Sequence, residues 1–184
     1  MNGKMLIYMN PRSNLQDIQV ACSLAVAGEY QAICVPQWFV ATAADELRGS
    51  NVKVATILGL PGGTTSSFAK YAEAKQAISN GATLLILPVN MRMCAADQIA
   101  EAKNDLSATM VAAKKGAEAL ALLDAAVLSE EQLAAAAEMC IGAKVKSILV
   151  ANATDSSLAR LAEKHIPACA FGNSEVAACT AVGN

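Results

Sequence analysis

The feature that most constrains this chain is a repeated alternation. Short, almost continuously apolar runs are separated by longer stretches with helical spacing. The apolar runs are Met5–Met9, Gln31–Val35, Val52–Leu58, Thr83–Pro88, Ala119–Ala125, Val145–Ala151 and Pro167–Phe171. Helical patterns fall at 14–28, 37–48, 68–80, 95–115, 129–141, 155–164 and 174–182. A strand apolar on both faces belongs in a sheet covered on both sides. Seven strand–helix units in series require parallel strands joined by right-handed crossovers. Periodicity alone leaves two architectures open, a doubly wound sheet and a barrel.

Punctuation supports these boundaries. Ser129 with Gln132 has the spacing of a capping box, and Asp155 is expected as an N-cap. Gly28, Gly81, Gly116 and Gly142 close helical stretches, where a left-handed residue is common. At 184 residues without a linker or charge block, a single domain over 1–184 is expected.

Composition narrows the function classes. Net charge is −2 and the 14 basic residues form no stripe, so no nucleic-acid partner is expected. No apolar run is long enough to span a bilayer, and the N-terminal run is too short for a secretory signal. A cytoplasmic protein is the expectation. Six cysteines, at 22, 34, 94, 140, 169 and 179, form no C-x-x-C pair, and there is one histidine. They are expected to be reduced, buried thiols, with no metal site. No G-x-G-x-x-G follows the first strand, and Gly62-Gly63-Thr64-Thr65 lacks the lysine of a P-loop, so no cofactor is expected. His165 closes a helix, and Trp38 and Phe39 open one as packing residues.

Val52 to Thr64 follows V-K-V-A-T-[VI]-[IV]-G-F-P-x-G-x-T, and Glu73 to Ala82 follows E-A-K-x-A-[IV] with N-G-A. Leu123-Asp124 through Glu131 is similar to I-L-E-T-x-x-L-[ST]-x-E-E. These stretches resemble the deoxyribose-phosphate aldolases. The resemblance covers roughly residues 5 to 173 and is densest over 32–90. It implies a parallel (β/α) barrel of TIM type, with any site at the C-terminal ends of the strands. Only seven units are clear, so an incomplete barrel is allowed.

The family's reaction is a class I aldol cleavage. A lysine with a lowered pKa forms a Schiff base, a second lysine lowers that pKa, and an aspartate relays protons. Carried over by position, the Schiff-base lysine falls on Ser147, the second lysine on Cys169 and the relay aspartate on Ile86. The family's N-terminal D-x-T falls on Met5 and Ile7. Cys34, Gly59, Pro61, Gly63, Thr64, Lys75 and Asn90 are retained.

The expectation is therefore a degenerate member without Schiff-base chemistry that binds or interacts. The alternative is a lyase acting on a small phosphorylated sugar aldehyde through a relocated lysine, Lys146. Strand alternation predicts Ser147 facing inward, and Lys146 facing the helices and reaching towards the strand's start. Asp124 is the best surviving carboxylate for a catalytic role, against which stands a structural hydrogen-bonding role, the favoured reading. Gly172, Asn173 and Ser174 are the remnant of the family's phosphate site for a small phosphorylated metabolite, or, the favoured reading, a simple turn from strand to helix. Only 13 residues follow Phe171, which leaves a gap beside the seventh strand. The final segment could fold across that gap as a short helix or strand, or a second subunit could cover it. A homodimer is the expectation.

Overall fold

A computed structural model of the chain describes residues 3–114 and 116–171 and the backbone of 176–179. Seven parallel strands run in sequence order: β1 (Gly3–Ile7), β2 (Ala32–Cys34), β3 (Lys53–Ile57), β4 (Leu84–Pro88), β5 (Glu118–Asp124), β6 (Ser147–Ala151) and β7 (Ala168–Phe171). Each pairs with its neighbours in the chain, as successive βα units dictate. Among the described residues, seven α-helices cover the outside: α1 (Leu15–Ala27), α2 (Val40–Glu46), α3 (Ser67–Ser79), α4 (Met91–Ala95), α5 (Ile99–Ala113), α6 (Glu130–Gly142) and α7 (Asp155–Glu163).

The sheet curls so that each strand is buried on both faces, and alternation sorts its residues. Leu6, Ile33, Val54, Leu85, Ala121, Ile148 and Ala168 point outward into the helix layer. Met5, Ala32, Cys34, Ala55, Leu84, Ile86, Leu120, Leu149 and Cys169 form a separate inner cluster, each no more than 1% exposed. Alanines at 102, 112, 113, 134, 136 and 137 are buried on α5 and α6. Their small side chains let two long helices lie close on the sheet and account for the alanine density of that region.

Several boundaries differ from the sequence expectation. The helix expected over 174–182 is replaced in part by a strand, β8 (Val176–Cys179), antiparallel to β1 with Met5 opposite Ala177. Strand pairing wins because β1 would otherwise present unpaired backbone groups at a sheet edge. The final segment thus caps the open edge, one of the two solutions foreseen, and β8 also lies beside β7. The stretch 37–48 divides into a 3-10 turn (Gln37–Phe39) and α2, and the helix expected over 95–115 starts only at Ile99, after α4 has ended at Ala95 and the chain has turned at Asp97, which has φ 57°.

The Ser129–Gln132 capping box forms, with Ser129 Oγ accepting from Gln132 N at 3.2 Å. Thr154, not Asp155, caps α7, because its hydroxyl accepts from Ser157 N and leaves Asp155 in the first turn. Of the helix-closing glycines, Gly81 is left-handed at φ 101°, whereas Glu29 and Lys144 take that conformation beyond Gly28 and Gly142. Trp38 is not a packing residue: it is 86% exposed, and Phe39 beside it does the packing. Among the described residues, no helix is long and apolar enough to cross a membrane.

Candidate functional site

The C-terminal ends of the strands form a mouth with an apolar floor. Ile7 ends β1 and Met9 follows it, Ile57 ends β3, Leu122 lies near the end of β5 and Phe171 ends β7. All five are partly exposed and pack on the inner cluster. They come from odd-numbered strands, the arrangement by which alternate strands of a barrel fill one layer.

Asp124 continues the inward row of Leu120 and Leu122 and so stands at this mouth. Its Oδ1 accepts from Ala126 N at 2.9 Å and from Asn152 Nδ2 at 2.8 Å. Among the described residues, its Oδ2 accepts nothing. Asn90, on the inward row of β4, is spent locally, with its Oδ1 capping α4 through Met93 N at 3.3 Å.

The Gly59–Thr65 loop borders the mouth and explains the retained glycines. Gly59 N donates to Glu73 Oε2 at 2.7 Å, tying the loop to α3. A Cβ on Gly63 would fall 2.3 Å from Pro88 O, so only glycine lets the loop lie on the end of β4.

The positions matched to the aldolase chemistry gather in one place. Met5, Ile86 and Cys169 belong to the single inner cluster, and Ile7 packs against it. Ser147 faces inward, as alternation predicts; it is buried, and its Oγ donates to Pro167 O at 3.0 Å. A hydroxyl satisfied by a backbone carbonyl is a structural use of the position.

Lys146 lies elsewhere. Its Nζ sits 2.7 Å from Glu118 Oε2, while Lys53 Nζ donates to Glu118 Oε1 at 2.7 Å. Glu118 opens β5 and Lys53 opens β3, so this trio closes the strand-start end of the barrel. The two lysines hold the Glu118 carboxyl below the usual range, with the Lys146 hydrogen bond as the larger cause. Six residues of strand separate Glu118 from Asp124, roughly 20 Å at the rise of an extended chain. Lys146 and Asp124 are therefore at opposite ends. Among the described residues, inward strand positions at the mouth carry no lysine.

Sequence reasoning missed a second charged pair. Lys70 on α3 and Asp105 on α5 are both buried and form an ion pair, with Ser67 Oγ donating to Asp105 Oδ1 at 2.6 Å. A cue was available: both stand on otherwise apolar helix faces, where a charge must find a partner. The pair faces the helix layer beside Leu58, Leu87 and Pro88, and joins α3 to α5.

The expected phosphate residues Gly172, Asn173 and Ser174 lie outside the described residues. Cys22, Cys34, Cys94 and Cys140 are buried free thiols, and Cys169 is buried in the inner cluster. Burial pushes Cys34 up to about 12 and Cys94 up to about 11, which suppresses the nucleophilic thiolate. Among the described residues, no group of three or more histidine, cysteine or acidic side chains is arranged to hold a metal.

The model described as DeoC/LacD family aldolase matches residues 3–134. A deoxyribose-phosphate aldolase of Histophilus somni is 31% identical over 125 residues, 68% of this chain and 55% of that protein. One from Thermosynechococcus vestitus is 31% identical over 137 residues, 74% of this chain and 62% of that protein. The chain thus spans less than two thirds of the length of these relatives. A crystal structure described as a putative deoxyribose-phosphate aldolase from Coccidioides immitis superimposes with a TM-score of 0.85 at 21% identity, covering 92% of this chain and 72% of that one. That likeness establishes the TIM-barrel type of fold. Taken with the family match over 3–134, it makes this chain a member of the DeoC/LacD aldolase family.

Proposed function

We propose that this family member does not perform Schiff-base aldol chemistry and acts instead by binding a small molecule at the barrel mouth. One observation carries the reading: the positions matched to both lysines and the relay aspartate, Ser147, Cys169 and Ile86, are buried side chains of the barrel interior. A buried serine, thiol and isoleucine supply neither an amine nucleophile nor a proton relay. The ligand is a small phosphorylated metabolite, its phosphate held by Gly172, Asn173 and Ser174. Buried free thiols fit a reducing compartment, the cytoplasm.

The competing reading is a lyase for a deoxyribose 5-phosphate-like aldehyde, with Lys146 as the Schiff-base residue and Asp124 as the proton carrier. Its difficulty is distance, since Lys146 is held by Glu118 at the other end of β5. Borohydride reduction in the presence of deoxyribose 5-phosphate separates the two. Our reading expects no lysine adduct by mass spectrometry, and an adduct on any lysine overturns it.

The chain also works as a homodimer. Leu15, Val20 and Leu24 on α1 are each more than half exposed, as are Trp38 and Phe68. The one charge on α1, Asp17, is used in the capping box with Asn14. An uncharged apolar helix face can meet its own copy without like-charge repulsion. Light scattering at micromolar concentration is expected to give twice the chain mass, and the monomer mass rules the dimer out.

A further inference from the structure

We infer that the mouth takes the end of the ligand remote from its phosphate, and that this end has an apolar body and a single hydrogen-bond-donating head, a hydroxyl or an ammonium group, set against Asp124. This deepens the binding reading above and rests on it. The floor is what sets the class. Met9, Ile57, Leu122 and Phe171, one from each odd strand, are the partly exposed layer over a sealed apolar interior. A polyhydroxylated body laid on such a floor would leave its hydroxyls without partners and strip their water. A hydrocarbon body would instead release water from both surfaces. Ligand sites are commonly built this way, with apolar walls and a few polar groups that fix orientation.

Among the described residues, Asp124 is the charged side chain on the inward strand rows at the mouth. Asn152 Nδ2 and Ala126 N both hold its Oδ1, which fixes the carboxylate plane. Its Oδ2 remains able to accept one donor. A carboxylate has no hydrogen to give, so the head must donate, and the phosphate of the metabolite, repelled by Asp124, lies at the other end of the molecule. The second inward polar side chain, Asn90, has its oxygen committed to Met93 N. One donor head beside an apolar body is the complement of this surface.

The test is an NMR titration of the full chain with 1-pentanol, pentylamine and erythritol at millimolar concentrations. Pentanol and pentylamine should give saturable shifts in the methyl signals of Met9, Ile57 and Leu122, about tenfold tighter than erythritol, given the unpaired hydroxyls of the polyol. The tighter of the two identifies the head. Asp124→Asn should weaken pentylamine by about fivefold, because the amide oxygen stays with Ala126 N and Asn152 Nδ2 and the amide nitrogen then faces the ammonium, with pentanol nearly unchanged because its hydroxyl can accept from that nitrogen. The same spectra show whether the variant is folded. Erythritol binding as tightly as pentanol, shifts confined to the α1 or Trp38 surface, no saturable shift, or pentylamine affinity unchanged in Asp124→Asn would each overturn the inference. None of these outcomes bears on the borohydride experiment, so the two readings fail separately.

Discussion

The two ends of this barrel are built from opposite materials. At the strand-start end, Lys53 and Lys146 share the carboxylate of Glu118, all three partly open to water. At the other end, Met9, Ile57, Leu122 and Phe171 form an apolar floor around one carboxylate, Asp124. In a barrel of this kind chemistry is done at the C-terminal end, while the opposite end serves stability. The reactive-looking lysine is therefore at the end that fastens the barrel shut. A catalytic residue type has meaning only through its place on the scaffold.

The largest effects should come from breaking the buried supports around the mouth. Asp105→Ala strands the Lys70 ammonium in the helix layer and should cost about 3–5 kcal/mol in urea unfolding. A loss below about 1 kcal/mol would mean that Lys70 finds water, and the pair would then not be a buried support. Next comes the inner layer itself. Ile86→Ala at the relay position should cost about 2–5 kcal/mol, since Ile86 is fully buried. If the interior were instead a loosely filled site, the same change would be nearly neutral.

The strand-start trio should be worth much less. Its side chains are 36% to 47% exposed, so Glu118→Gln should cost about 0.5–1 kcal/mol at neutral pH. The sign of its pH dependence follows from the lowered carboxyl pKa. The stabilisation is present above the ordinary value of 4.5 and is lost as pH falls through the lower folded value. The gap between wild type and Glu118→Gln should be flat near neutrality and close in acid. A gap that widened on acidification would contradict the assignment of both lysines to Glu118. Smallest of all, Trp38→Ala should change the stability of the monomer by about 0.5 kcal/mol or less, because that ring is exposed. A larger loss at low protein concentration would show that the ring packs in the folded chain.

Much of this comparison could be read from the residues. Alternation placed Ser147 inward and sent Lys146 towards the strand start, because a period-2 element leaves one choice once its neighbours are buried. The glycine-rich loop was legible as architecture, and Pro88 O against Gly63 supplies the reason. The identity of Glu118 as the lysine's partner was hidden, since it joins residues 28 positions apart across a strand pair. The Lys70–Asp105 pair was hidden for the same reason, with the two charges on different helices. The tail was expected as a helix by its spacing over 174–182, yet Val176–Cys179 pairs with β1. A short apolar segment with no strong local preference takes the backbone partners that the tertiary structure offers. Trp38 misled because an aromatic at a helix start usually packs, and only the folded surface shows it bare.

The central claim is that the barrel mouth has lost the aldolase chemistry while Lys146 braces the far end. The most direct measurement is a coupled assay for glyceraldehyde 3-phosphate released from deoxyribose 5-phosphate at high protein concentration, run in parallel on wild type and Lys146→Ala. The account predicts no turnover above background in either. Turnover in wild type that disappears in Lys146→Ala would contradict it and make that lysine the catalytic amine.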